Sequence, residues 1–151
     1  MVYVAFLNSP IGRLKITSNE KAIIALEHEV EGEESEVLPA VLEECVTQLE
    51  QYFAGERQSF TVPLQIDGTV FQQQVWQALQ DIPYGEVCSY KAIATAIGNT
   101  KAVRAVGNAN NKNKLPLLIP CHRVIGANGS LVGYALGLEH KQYLLDLERD
   151  Q

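Results

Sequence analysis

Residues 89–124 read SYKAIATAIGNTKAVRAVGNANNKNKLPLLIPCHRV, and the rest of the chain is best read outward from them. Ser89 is a good N-cap for a helix over Tyr90–Ile97. Gly98-Asn99 ends that helix, because glycine reaches the left-handed conformation that closes a helix. Thr100 is the next N-cap and opens a helix over Lys101–Asn110 with Val103, Val106 and Gly107. Helix, short turn, helix is the outline of a helix-turn-helix. Its second helix carries Lys101 and Arg104 and runs into a polar segment ending at Asn113. A short apolar run, Leu115–Ile119, then leads through Pro120 to Cys121-His122-Arg123-Val124.

The charge of the whole chain obscures this segment. The 151 residues are 46% hydrophobic and 20% charged, enough apolar material for a real core. A formal net charge of −6 argues, taken whole, against a nucleic-acid partner. Residues 1–69, however, carry a net of −8, and residues 70–151 a net of +2. From Val87 to Leu138 there are six Lys or Arg and no Asp or Glu.

Upstream, Val2–Leu7 and Arg13–Thr17 alternate like strands about a turn at Ser9–Gly12, and residues 21–29 hold a third apolar run. The acidic stretch Glu27–Glu36 reads as a solvated loop. Leu38, Val41, Leu42, Cys45, Leu49 and Tyr52 fall on one helical face, and residues 63–68 read as a further short strand. Thr69 is an N-cap for a helix over Val70–Leu79. A Gly-rich loop (Gly126, Gly129, Gly133, Gly137) leads to a last helix, Glu139–Arg149. The expected fold is an α/β N-terminal domain, a small antiparallel sheet plus a helix, followed by a mainly α-helical C-terminal domain containing the helix-turn-helix.

No apolar stretch approaches the roughly 20 residues that span a bilayer, and the opening residues lack the basic start of a signal peptide. Three widely spaced cysteines, Cys45, Cys88 and Cys121, make no disulfide framework and suit a reducing compartment. No spacing suggests zinc, and no Gly-rich nucleotide fingerprint occurs. Cys121 is the candidate nucleophile. A thiol reacts as its thiolate, which neighbouring positive charge or a hydrogen-bonded base favours, and His122 and Arg123 follow it directly. A bare Cys-His pair is a weak signal, since adjacent residues often point apart. Thiol chemistry, an acid-free basic segment and a helix-turn-helix outline in one region are what a nucleophile acting on DNA needs. Basic side chains anchor phosphates, and a base buried in duplex must be flipped out to be reached.

Gly68-Thr-Val-Phe-Gln72, Val75-Trp76, Ile82-Pro-Tyr-Gly85, Ser89-Tyr90, Arg104-Ala-Val-Gly107 and Ile119-Pro-Cys-His-Arg-Val124 together resemble the O6-alkylguanine-DNA alkyltransferases (methylated-DNA–protein-cysteine methyltransferases). The resemblance covers nearly the whole chain and is closest from Gly68 onward. It implies a ribonuclease-H-like domain over 1–68 and a helical DNA-binding and alkyl-acceptor domain over 69–151. It implies direct-reversal repair, in which the alkyl group of O6-alkylguanine, and also of O4-methylthymine, moves irreversibly to Cys121 in a single turnover without cofactor. By the same resemblance the thiol proton is relayed through His122 and a water to a carboxylate, Glu148, and Asn113 braces the active-site loop. Tyr90 approaches the target phosphate and guanine nitrogen 3, and Arg104 fills the gap left by the flipped base. Tyr134 walls the pocket, the Cys121 and Val124 backbone accepts from the guanine amino group, and the Ala135 amide faces oxygen 6. Arg123 is grouped with the DNA- and substrate-binding residues.

The expected partner is double-stranded DNA carrying O6-alkylguanine, with no membrane, no metal, a monomeric state and a cytoplasmic location. Trp76 reads as a core anchor, Cys45 and Cys88 as non-catalytic, and Lys101, Lys112 and Lys114 as phosphate contacts. Leu136 stands where the family more often has glycine, so its bulk and restricted φ predict a narrower pocket. Two other readings stay open. A sequence-specific regulator would also use the helix-turn-helix, and a Cys-His peptidase or redox-sensing thiol would need a cleft or resolving cysteine that the sequence does not display.

Overall fold

The computed structural model describes residues 1–150, which form two compact units divided between Ile66 and Asp67.

In the first unit, β1 (Tyr3–Ser9) and β2 (Gly12–Ser18) form an antiparallel hairpin, and β3 (Ile23–His28) pairs antiparallel with β2. The turn closes because Ser9 Oγ donates to the Gly12 carbonyl (2.7 Å) and accepts from the Ile11 amide, while Gly12 adopts φ +105°. Alternation sends Ala5, Leu14, Ile16 and Leu26 inward. Helix α1 (Ala40–Phe53) packs on β1 and β2 and buries Leu42, Cys45, Leu49 and Tyr52 at helical spacing. It begins two residues later than the apolar period suggests. Leu38 precedes a proline and is biased away from the helical region, and Pro39 becomes the N-cap in extended conformation.

The strand expected over 63–68 is reduced to one parallel bridge, Ile23 to Leu64. Pro63 has no amide to donate, so the ladder cannot extend through it. The acidic loop is exposed but tethered. Arg13 donates to the carbonyls of Glu29, Val30 and Gly32 and stacks on Phe6, with 3.7 Å from its guanidinium carbon to the ring centre.

The second unit opens with α2 (Val70–Gln80). Its N-terminus carries a complete capping box: Thr69 Oγ1 accepts from the Gln72 amide, and the Gln72 side chain accepts from the Thr69 amide. Trp76 is buried and its indole donates to the Ala109 carbonyl at 2.9 Å, so it is the core anchor expected. Ser89 caps α3 (Tyr90–Ala96) through the Ala92 amide.

Thr100 does not cap the next helix. Gly98 closes α3 at φ +78°, the Asn99–Ala102 stretch is consumed by a hydrogen-bonded turn, and α4 (Val103–Asn111) starts after Ala102, an N-cap that makes no side-chain bond. α2, α3 and α4 pack on one another. A parallel pairing invisible to local periodicity joins β4 (Cys88–Ser89) to β5 (Val124–Ile125) and brings the segment after Cys121 to the entry of α3. The last helix, α5 (Leu138–Arg149), buries Lys141, Leu144 and Glu148. Among the described residues no helix is long and apolar enough to cross a membrane.

Candidate active site

Cys121 lies in a single 3-10 turn, Cys121–Arg123, at the end of a fully buried approach, Leu115–Pro120. That approach is backbone-strained, for Leu117 has φ +76°, a conformation that costs an L residue roughly 1–3 kcal/mol. Asn113 over-determines it: its Oδ1 accepts from the Leu115 amide and its Nδ2 donates to the Ile119 carbonyl, both at 2.9 Å. Asn110, from α4, points its Nδ2 at the Cys121 carbonyl at 3.5 Å.

Behind the thiol stands a buried ionic cluster. His122 is 0% exposed, and its Nε2 is 2.7 Å from Glu148 Oε2. Burial pushes the Glu148 carboxyl up, but hydrogen bonds from His122 and Arg123 outweigh it and hold the carboxyl down at about 2. An ionised carboxylate only accepts, so His122 Nε2 carries the proton and Nδ1 is left as a bare acceptor. That Nδ1 is buried with no hydrogen-bond partner in the protein. Burial lowers the imidazole from its ordinary 6.5 despite Glu148, so His122 is neutral at neutral pH.

One sequence expectation is corrected here. Arg123 is not available to DNA. It is buried, with Nε and Nη2 on Glu148 (2.8 and 3.0 Å) and Nη1 on the Ile82 carbonyl (2.7 Å). An Arg–carboxylate fork is satisfied best inside the fold, and this one fixes Glu148. Cys121 rests as a thiol. Burial pushes it up to about 11, with the hydrogen bond from Asn113 and the charge of Lys141 pulling the other way.

Around the thiol, Tyr134 sets its ring edge-on to His122, centroids 6.4 Å apart, and its hydroxyl is buried without a partner. Tyr90 is half-buried and donates to the Val132 carbonyl at 3.0 Å. The Val124 carbonyl already accepts from Lys141 (2.7 Å), which leaves it one lone pair. Ala135 is exposed. Leu136 is buried, but positive φ falls at Gly133 and Gly137 instead, so the conformational half of the Leu136 argument does not hold.

Arg104 stands on the outer face of α4, and Lys101, Lys112 and Lys114 are exposed; among the described residues none of the four is ion-paired. Also among the described residues, no cluster of three or more His, Cys, Asp or Glu could hold a metal. Sequence reading missed Lys141 altogether. The available signal was its position: Lys141, Leu144 and Glu148 share one stripe of α5, so a buried face carries a charge at each end.

A buried thiol next in sequence to a neutral imidazole, itself oriented by an ionised carboxylate, defines a cysteine-nucleophile protein; exposed basic side chains on and flanking α4 add a polyanion-facing surface. Comparison with known proteins narrows this. A family model for the 6-O-methylguanine DNA methyltransferase DNA-binding domain matches residues 70–150, and one for the ribonuclease-like domain of the same family matches residues 2–66. A methylated-DNA–protein-cysteine methyltransferase of Methanosarcina acetivorans is 48% identical over 97% of this chain and 98% of its own. The constitutive enzyme of that name from Bacillus subtilis is 48% identical over 99% and 96%. The crystal structure of Mycobacterium tuberculosis O6-methylguanine methyltransferase superposes with a TM-score of 0.90, at 43% identity over 99% of this chain and 94% of that one. A structure of the Mycobacterium tuberculosis protein in complex with DNA gives 0.87, at 44% identity over 96% and 91%. The chain belongs to the 6-O-methylguanine DNA methyltransferase family.

Proposed function

We propose that this protein repairs O6-alkylguanine in double-stranded DNA by moving the alkyl group onto Cys121, once per molecule and without a cofactor. The observation that carries the reading is the buried Cys121–His122–Glu148 arrangement, in which Nδ1 of His122 is the one ring nitrogen free to take a proton. Sγ attacks the alkyl carbon, the carbon–oxygen bond to guanine breaks, and its electron pair stays on the base. The thiol proton leaves towards His122, whose positive charge Glu148 supports, and the released guanine takes up a proton in turn. A thioether is not a leaving group under these conditions, so the protein ends alkylated.

Arg123 is a positioning residue in this scheme, holding Glu148 ionised. Lys101, Lys112 and Lys114 bind phosphates, and the α3–α4 pair acts as the helix-turn-helix. Arg104 enters the duplex in place of the flipped base, and Tyr134 closes one wall of the pocket. Tyr90 donates to the target nucleotide. The protein acts as a cytoplasmic monomer, and O4-methylthymine is a second substrate.

Duplex DNA containing O6-methylguanine, followed by peptide mass analysis, tests the proposal. One added methyl on the peptide carrying Cys121, absent from Cys121→Ala, is the expected result. No added mass on any cysteine overturns it.

A further inference from the structure

Helix α5 buries a lysine that the proposed chemistry does not use. Lys141 is 0% exposed, and its ammonium donates to three carbonyls: Val124 at 2.7 Å, Val132 at 2.9 Å and Gly133 at 3.3 Å. A buried ammonium is tolerated when its protons find acceptors, and here three donors meet three carbonyls. Those carbonyls belong to two different segments. Val124 follows the acceptor turn, whereas Val132 and Gly133 lead directly into Tyr134.

A second side chain converges on the same place, since Tyr90 Oη donates to the Val132 carbonyl at 3.0 Å. A tyrosine hydroxyl has one proton. Tyr90 cannot donate to Val132 and to a target nucleotide at once, so the step that engages DNA removes one of the two donors on Val132. The segment also has little freedom to be held in other ways. Gly133 sits at φ +54°, and a Cβ there would lie 2.7 Å from the Asn111 side chain.

We propose that Lys141 is a positioning residue for the base pocket: its ammonium clamps the wall segment Val132–Tyr134 to Val124, and keeps that wall in place when the Tyr90 hydroxyl moves from Val132 to the target nucleotide. This rests on the function proposed above. Lys141 touches no substrate atom and acts through Tyr134 and the Val124 backbone. A lysine that served only to favour the Cys121 thiolate would need none of this geometry, and the two roles separate in experiment.

Three readouts on the full chain and on Lys141→Met decide it. The single-turnover transfer rate from O6-methylguanine duplex, at saturating protein, is expected to fall about 100-fold, the scale of a misplaced reacting group. Modification of Cys121 by iodoacetamide, which needs the thiol but not the pocket wall, is expected to stay within about threefold of the native rate. Amide exchange over residues 126–137 is expected to quicken at least about tenfold while α2 is unchanged. If Lys141→Met fails to fold, Lys141→Gln retains a hydrogen-bonding head and is expected to lose about tenfold in transfer. Native-like transfer in the folded variant overturns the proposal. So does an iodoacetamide rate that falls as far as the transfer rate, or a loop whose exchange does not change. A native protein that accepts no methyl group overturns the function itself, whereas a competent native protein beside an unaffected variant overturns only the role of Lys141.

Discussion

Burial sets the acid–base behaviour of Cys121 before any substrate arrives. A thiol pushed up to about 11 is protonated at neutral pH, so reaction with a small alkylating reagent in the absence of DNA should be slow. The rate of iodoacetamide modification at Cys121 should climb with pH through and beyond 9, the ordinary thiol value; a plateau near neutrality would contradict the burial argument. Glu148 and His122 make a second expectation. The carboxyl is depressed from 4.5 to about 2, so its stabilising contribution is present above 4.5 and disappears as pH falls towards 2. The imidazole is depressed below 6.5, so the unfolded chain takes up a proton there more readily than the folded one, and stability declines as pH falls below 6.5. Both signs agree, and the protein should lose stability on the acid side. In denaturant titrations Glu148→Gln should flatten the part of that loss below 4.5 and leave Arg123 as an unpaired buried charge, at a cost of about 3–5 kcal/mol at neutral pH.

At the scale of elements, local chemistry and packing share control. The α2 start is a sequence signature, Thr69 with Gln72 three residues on, and the structure forms it in full. Thr69→Ala should cost about 1 kcal/mol in chemical denaturation, because the Gln72 amide loses its acceptor. The α4 start is the opposite case. Thr100 has the right chemistry for a cap, yet the turn after Gly98 uses up the residues that a helix there would need. The Gly-rich loop divides similarly. Gly129, Gly133 and Gly137 hold the positive φ angles, and Leu136 is an ordinary buried residue between the last two. Its bulk still predicts a narrower pocket. Leu136→Gly should speed inactivation by O6-benzylguanine relative to methyl transfer, and equal rates in native and variant would remove the idea.

Charge is a property of the whole molecule and is divided along the chain. The net of −6 is the sum of −8 over residues 1–69 and +2 over residues 70–151, and within the latter the segment from Val87 to Leu138 carries +6. With Lys101, Arg104, Lys112 and Lys114 exposed, DNA affinity should fall steeply with salt, and Lys112→Ala should reduce the slope of log affinity against log salt by about one. The Glu27–Glu36 stretch is exposed and anchored by Arg13. Replacing its glutamates with glutamine should raise non-specific DNA affinity at low salt if this charge restrains binding, and unchanged affinity would show that it does not.

Most of the architecture was legible because it follows from interactions only a few residues apart. Alternation marked β1 and β2, the helical period marked α1, and Ser89 and Thr69 marked two helix starts. The Cys121–Val124 motif, with Arg104–Gly107 before it, pointed to the family. The β4–β5 pairing was not legible, because it joins two residues to two others about 36 positions away without a periodic pattern. The same limit applies to charge inside the site. By itself the sequence singled out the candidate site residues and most of the helices around them. Only the tertiary structure decided that Arg123 serves Glu148 rather than DNA, that Lys141 is enclosed among carbonyls, and that Cys121 rests as a thiol. The physical reason is that protonation and pairing depend on how much water is excluded and on which distant groups remain, and neither quantity is encoded locally.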